Sequence, residues 1–215
     1  QAAYVLDHES GTVLLAKQAD VALPPASMSK LMTLFLAFEA LRDGRLRWDE
    51  RLPVSTHAMS YGGSTMCLDT TDRITVEDLI RGIIVLSGND ACVVLAEGIS
   101  GTEEAFVARM NAEAKKLGMT NSTFGTSNGW PDEGRTQVTA KDLAKLAVST
   151  IRDYPDLYRK FYQQKEFSWG KTMGKGENIV QANRNPILGR VPGADGLKTG
   201  HTAEAGYGFT GSAEQ

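Results

Sequence analysis

The stretch Pro24-Pro25-Ala26-Ser27-Met28-Ser29-Lys30-Leu31-Met32-Thr33-Leu34-Phe35-Leu36-Ala37-Phe38-Glu39-Ala40-Leu41 marks the point where the chain changes character. The paired prolines end the unit before them. The apolar pattern that follows predicts a helix over 27–41, with Gly44 as its stop. Ser27 opens this helix and Lys30 follows three residues later, a spacing that stacks two side chains on one helix face. The apolar run 31–41 is broken by Thr33 and Glu39 and falls short of the roughly 20 residues a membrane-spanning helix needs.

Before this helix, apolar runs at 3–7 and 12–16 flank Glu9-Ser10-Gly11, which has turn chemistry, and predict a β-hairpin. After it comes a section dominated by helices. Thr75-Val76-Glu77-Asp78 resembles a capping box ahead of a helix over 79–86. Residues 90–99 read as a buried helix, and 103–117 as an amphipathic one closed by Gly118. A further helix is expected over 139–151, with Thr139 as cap and Asp142 as first-turn acid. The last third turns to strands at 163–169, 179–183, 196–199 and 207–212. Strand, helix cluster, strand is an α+β order. The first hairpin and the last strands are expected to form one antiparallel β-sheet flanked by helices, beside a mostly helical subdomain.

The bulk numbers exclude several classes. The 215 residues are 41% hydrophobic and 23% charged, with a net charge of −3. That composition suits a soluble globular core and lacks the concentrated positive face that nucleic acid requires. Cys67 and Cys92 define no disulfide framework, and no Cys or His spacing suggests zinc, so no metal is expected. Cys92, within Ala91-Cys92-Val93-Val94, reads as a small buried apolar group. Gly206-Tyr207-Gly208-Phe209-Thr210-Gly211 matches the dinucleotide pattern, but no helix can follow it in the four residues that remain. Gly170-Lys171-Thr172 lacks the earlier glycine of a phosphate loop, since Lys165 stands there. Asn121-Ser122-Thr123 is a glycosylation sequon, of meaning only in a eukaryotic secreted protein. No G-x-S-x-G elbow surrounds any serine, and His8, His57 and His201 are scattered, which leaves a histidine triad little support.

What remains is three short motifs in order: Ser27-Met28-Ser29-Lys30, Ser87-Gly88-Asn89 and Lys198-Thr199-Gly200. Each has an ordinary reading: a capping serine with a solvated lysine, a turn between helices, and a strand ending in a glycine turn. A chain of this length holds about one S-x-x-K by chance, and Ser168-Trp169-Gly170-Lys171 is a second match. Context separates the two, because Ser168 falls in a strand-and-turn region where residues three apart point in different directions.

The ordered set is the signature of penicillin-binding proteins and class A β-lactamases. The sequence resembles a low-molecular-mass penicillin-binding protein of the serine-type D-alanyl-D-alanine carboxypeptidase family. Pro25 to Thr33, Ser87 to Cys92 and Asp195 to Thr202 carry the likeness. Softer likeness extends through Asn183-Arg184-Asn185 and Ala205-Gly206-Tyr207, so nearly the whole chain is covered.

The resemblance implies that residues 1–215 are a single catalytic domain of the β-lactamase/transpeptidase-like fold. It implies Ser27 as nucleophile, Lys30 as its base and Ser87 as a proton carrier between Lys30 and Lys198. Burial beside a second cation frees a lysine amine to act as base, and Lys198 is expected to be that cation. Asn89 would fix the substrate backbone, Lys198 and Thr199 its terminal carboxylate, and Gly200 would let the strand approach closely. The backbone N–H groups of Ser27 and His201 would hold the oxyanion. The implied substrate is a peptidoglycan stem peptide ending in D-Ala-D-Ala, with β-lactam antibiotics as mimics and no cofactor. The implied place is the periplasm or another extracytoplasmic part of a bacterial envelope.

A β-lactamase and a D,D-endopeptidase share the motifs, and so does a β-lactam sensor that acylates once. No E-x-x-x-N pattern of a class A β-lactamase lies between Asn89 and Lys198. Relatives carry a further strand and helix, a second β-rich domain and an anchoring tail. These segments, and any membrane association, are expected outside the present residues.

Overall fold

Helix α1 (Lys30–Arg42) is buried on nearly every face, from Lys30 through Phe38 and at Ala40. A helix apolar all round belongs in the middle of a core rather than on its surface, and the other elements are arranged about it. The computed structural model describes residues 1–171 and 176–214, with the backbone alone at Lys171.

In chain order the strands are β1 (Ala3–Leu6), β2 (Val13–Lys17), β3 (Arg51–Pro53) and β4 (Arg73–Thr75), then β5 (Glu166–Lys171), β6 (Asn178–Ala182), β7 (Ala194–Thr202) and β8 (Gly206–Ala213). The helices after α1 are α2 (Thr56–Met59), α3 (Val76–Arg81), α4 (Asn89–Ser100), α5 (Glu103–Lys116), α6 (Ala140–Asp153) and α7 (Pro155–Tyr162). The caps at Thr75 and Thr139 follow the residues read from sequence, and Thr102, which that reading did not single out, caps α5 in the same way. Thr75, Thr102 and Thr139 each accept a backbone N–H three residues on, at the starts of α3, α5 and α6. Helix α5 carries Glu103 and Glu104 in its first turn and Lys115 and Lys116 in its last, matching the helix dipole at both ends.

The α+β order holds, but the strands pair as four two-stranded antiparallel ladders, β1-β2, β3-β4, β5-β6 and β7-β8. The first and last hairpins, expected to share one sheet, each close their ladder within themselves among the described residues. Helix α6 contacts both β1 and β8 and links them through packing instead.

The chain before α1 departs from the expected helix. Residues Ala26–Ser29 form a 3-10 turn, and the α-helix begins only at Lys30. With three residues per turn, positions i and i+3 eclipse, so Ser27 and Lys30 face the same side more closely than in an α-helix. The helix expected over 79–86 also changes pitch. It continues past α3 as a π-helical turn, Gly82–Leu86, and stops at Ser87 in the left-handed region (φ 60°, ψ 37°).

Helix α7 escaped the sequence reading; its signal was Pro155 at the first helical position. It carries Tyr158, whose hydroxyl donates to Asp195 Oδ1 at 2.9 Å and so ties β7 to the helical layer. The short β3, β4 and α2 were missed as well, since three or four residues carry no periodicity. The second S-x-x-K match falls on β5, where Ser168 is exposed and paired with Val180. The Lys171 side chain and Thr172 lie outside the described residues.

Phe38 is fully buried where α1 meets α7, its ring 6.0 Å from Tyr154 and 6.1 Å from both Phe161 and Tyr162. Phe38→Ala is expected to cost about 3–5 kcal/mol of stability, read as a fall in the urea midpoint at unchanged slope.

Candidate active site

Lys30 is fully buried, yet its amine is not unpartnered. Nζ lies 2.7 Å from Ser27 Oγ, 2.8 Å from Asn89 Oδ1 and 2.8 Å from the Asn128 carbonyl oxygen. Amide and carbonyl oxygens only accept hydrogen bonds, while a serine hydroxyl can also donate. A neutral amine has two N–H groups and one lone pair. Giving both N–H groups to Asn89 and Asn128 turns the lone pair toward the one partner that has a proton to give, Ser27. Neither Pro25 nor Ser29, the residues at the two helix starts, makes a side-chain cap, and Ser27 Oγ accordingly meets Lys30 rather than a helix end.

Electrostatics lower the cost of reaching that neutral state. Burial pulls the Lys30 amine down from 10.5 to about 8, and the Arg184 cation pushes the same way. Asp90 and Cys92 act in the opposite sense. Burial drives the Cys92 thiol up to about 12, so near neutrality it stands as the buried apolar group that its sequence context indicated. Lys198 is also held well below its ordinary value, first by burial and then by the charge of Lys30. The second cation beside Lys30 was expected to be Lys198. Arg184, on the loop before β7, is a further cation that acts on Lys30 in the same sense as burial. Its Nη1 donates to Ser64 Oγ at 2.9 Å.

The second motif is fixed by its backbone. Ser87 adopts a positive φ that only a few per cent of non-glycine residues do. Its hydroxyl is buried and hydrogen-bonds to no other group of the described protein. The turn that follows places Asn89 at the first position of α4, where its backbone N–H donates to the Ser64 carbonyl at 2.8 Å. One N–H of its side-chain amide goes to the Gly62 carbonyl at 2.9 Å. Sequence reasoning gave Asn89 to the substrate; the structure puts its amide oxygen on Lys30. Asp90 binds the same loop, accepting the N–H groups of Met66 at 2.9 and 3.0 Å and of Leu68 at 3.1 Å.

The third motif runs along β7, which packs against the 3-10 turn. A Cβ on Gly200 would stand 2.7 Å from the Pro25 carbonyl oxygen and 3.1 Å from the Met28 nitrogen. A glycine is needed there for space alone. Lys198 is buried and donates to the Thr199 carbonyl at 3.0 Å, Thr199 is half-buried, and His201 is exposed with its ring 4.2 Å from that of Tyr207. All three motifs therefore meet around Ser27. Among the described residues no group of three or more His, Cys, Asp or Glu side chains is placed to hold a metal ion.

The sequence reading missed the Asn128 carbonyl, Arg184 as a charge and Asp90 as a tether. A backbone carbonyl has no residue signature, so the first could not have been found from composition or spacing.

A serine paired with a buried lysine on an α+β frame defines a class of acyl-transferring hydrolases. Residues 1–215 match the D-alanyl-D-alanine carboxypeptidase family, to which the chain belongs. It is 39% identical over 218 residues to the D-alanyl-D-alanine carboxypeptidase DacC of Escherichia coli, covering 98% of this chain and 52% of that protein. The chain thus spans about half the length of the curated relatives it matches. The structure of D-alanyl-D-alanine carboxypeptidase DacD from Francisella tularensis superposes with a TM-score of 0.93 at 33% identity, over 100% of this chain and 62% of that one. A penicillin-binding protein from Listeria monocytogenes, solved in an ampicillin-bound form, superposes at 0.86 with 34% identity, over 100% of this chain and 84% of that one.

Gly200→Ala is expected to force β7 away from the 3-10 turn. Its measurable results are a loss of about 1–3 kcal/mol in denaturation and at least about tenfold slower labelling by a fluorescent penicillin.

Proposed function

We propose that residues 1–215 form the catalytic domain of a serine-type D-alanyl-D-alanine carboxypeptidase. It removes the terminal D-alanine from peptidoglycan stem peptides through an acyl-enzyme on Ser27. The observation that carries this reading is the desolvated Lys30 amine, 2.7 Å from Ser27 Oγ, with its other two contacts made to oxygens that only accept.

The chemistry follows from that geometry. Lys30 takes the hydroxyl proton as Ser27 Oγ bonds to the carbonyl carbon of the penultimate D-alanine. The carbonyl electron pair moves onto oxygen, and the backbone N–H groups of Ser27 and His201 stabilise the oxyanion. Collapse of the intermediate restores the carbonyl and breaks the C–N bond. The leaving amine takes the proton from the Lys30 ammonium by way of the Ser87 hydroxyl, and D-alanine departs. Water then attacks the ester, Lys30 accepts its proton, and Ser27 recovers a hydrogen as the shortened peptide leaves.

Lys198 and Thr199 hold the terminal carboxylate, whose negative charge raises the affinity of Lys198 for a proton. Asn89 keeps Lys30 in place and offers its amide to the substrate backbone. A β-lactam mimics the D-Ala-D-Ala end and acylates Ser27. The substrate places the reaction outside the cytoplasmic membrane of a bacterium. Among the described residues no helix is long and apolar enough to cross a membrane.

Intact mass after benzylpenicillin is expected to show one adduct on the wild type and on Ser168→Ala, and none on Ser27→Ala. Steady D-alanine release from diacetyl-lysyl-D-alanyl-D-alanine accompanies it; a single stoichiometric burst would point instead to a sensor that does not turn over. Because the base must be neutral, activity is present above the Lys30 value and lost below it. The acylation rate should rise with pH toward about 8 and level off beyond. A profile that is flat from pH 6 to 9 would remove Lys30 as the base.

A further inference from the structure

A buried carboxylate outside the three motifs faces the Lys30 cradle. Glu103 is the first residue of α5 and is 7% exposed. Its Oε1 accepts from the Ser127 backbone N–H at 2.9 Å and from the Ser127 hydroxyl at 2.6 Å. Its Oε2 lies 2.6 Å from His57 Nε2 and 3.3 Å from the Tyr61 hydroxyl. A carboxylate has about four acceptor positions, and four groups surround this one.

Ser127 immediately precedes Asn128, whose carbonyl receives Lys30. The Ser127 carbonyl is held in turn by Thr33 Oγ1, which donates to it at 2.5 Å from one turn further along α1. The same residue is therefore gripped at its N–H and side chain by Glu103 and at its C=O by α1. The Ser127–Asn128 peptide is thereby fixed, and the Asn128 carbonyl, one peptide further on, points at Nζ, with the Gly129 N–H of that same peptide donating to Thr126 Oγ1 at 3.0 Å.

We propose that Glu103 is a positioning residue for Lys30. By clamping Ser127 it helps aim the Asn128 carbonyl, which takes up one N–H of the amine and leaves the amine lone pair to Ser27. The proposal rests on the reading of Lys30 as the base of an acylation at Ser27. It gives a function to a buried acid that touches neither the reacting serine nor the lysine itself. A carboxylate that merely fastened α5 to the loop would lower stability without singling out the chemical step.

The test is benzylpenicillin acylation followed by rapid quench and intact mass, resolved into a non-covalent dissociation constant and a first-order acylation rate. Glu103→Met keeps the volume and removes every acceptor. It is expected to slow acylation about 30-fold while the dissociation constant stays within about twofold. Glu103→Gln retains an amide oxygen for Ser127 and is expected to stay within about fivefold of the wild-type rate. His57→Ala, which leaves the Ser127 clamp untouched, stays near wild type. If Glu103→Met does not fold, Ser127→Ala carries the test. It removes one of the two bonds and is expected to slow acylation about fivefold at unchanged dissociation constant. Wild-type acylation rates in Glu103→Met or Ser127→Ala overturn the proposal, as does a fall of rate and binding together in Met and Gln variants alike. A wild-type protein that carries no adduct on Ser27 overturns the reading beneath it instead, and the proposal with it.

Discussion

Burial of the Lys30 amine is the constraint to which the rest of the site answers. A charged amine taken out of water loses its hydration, and only compensating oxygens make the position tolerable. Three oxygens are supplied, from the turn before α1, from the start of α4 and from the loop after α5. Their chemistry decides more than their number. Two of them cannot donate, so the neutral amine satisfies all three contacts, and desolvation pulls its value down to about 8. The same burial that stabilises α1 as the central helix thus places an amine of lowered proton affinity next to a serine.

Holding those oxygens in place explains features that otherwise look incidental. Asp90 ties the loop carrying Met66 and Leu68 to the start of α4, while the Asn89 backbone and amide tie it at Ser64 and Gly62. Glu103 and Thr33 grip Ser127 from two sides. Gly200 lets β7 approach the 3-10 turn closely at Pro25 and Met28. Each tether links segments far apart in sequence, and each is buried. The geometry around Lys30 and the packing of the core are accordingly held by the same contacts.

Much of this was legible beforehand. The threonine caps of α3 and α6, the first hairpin and the α+β order follow from local propensity and periodicity, which act over a few residues. The three motifs were legible because their residue types are unusual in combination, and they meet around Ser27. The merger of the two hairpins into one sheet was not borne out in the described residues, since ladder formation depends on which edges the helical layer brings together. The 3-10 turn at Ser27 and the π-helical turn before Ser87 were missed for a related reason. Both are local departures from the α-helix imposed by surrounding packing, and an apolar helical pattern looks much the same in all three pitches.

The sequence by itself determined which side chains are available: a serine and a lysine three apart, a second serine and an asparagine at a turn, and a lysine, threonine and glycine on a strand. It also determined that α1 is apolar enough to be buried. Only the tertiary structure decided what burial does to each of them. It assigned the Asn89 amide oxygen to Lys30, brought the Arg184 cation to bear on it, and recruited the Asn128 carbonyl, a group that every residue possesses. Solvation and electrostatic environment are properties of a position in space, shared among segments as far apart as Lys30 and Asn128, 98 residues along the chain, and further, and no local pattern of residue types encodes them.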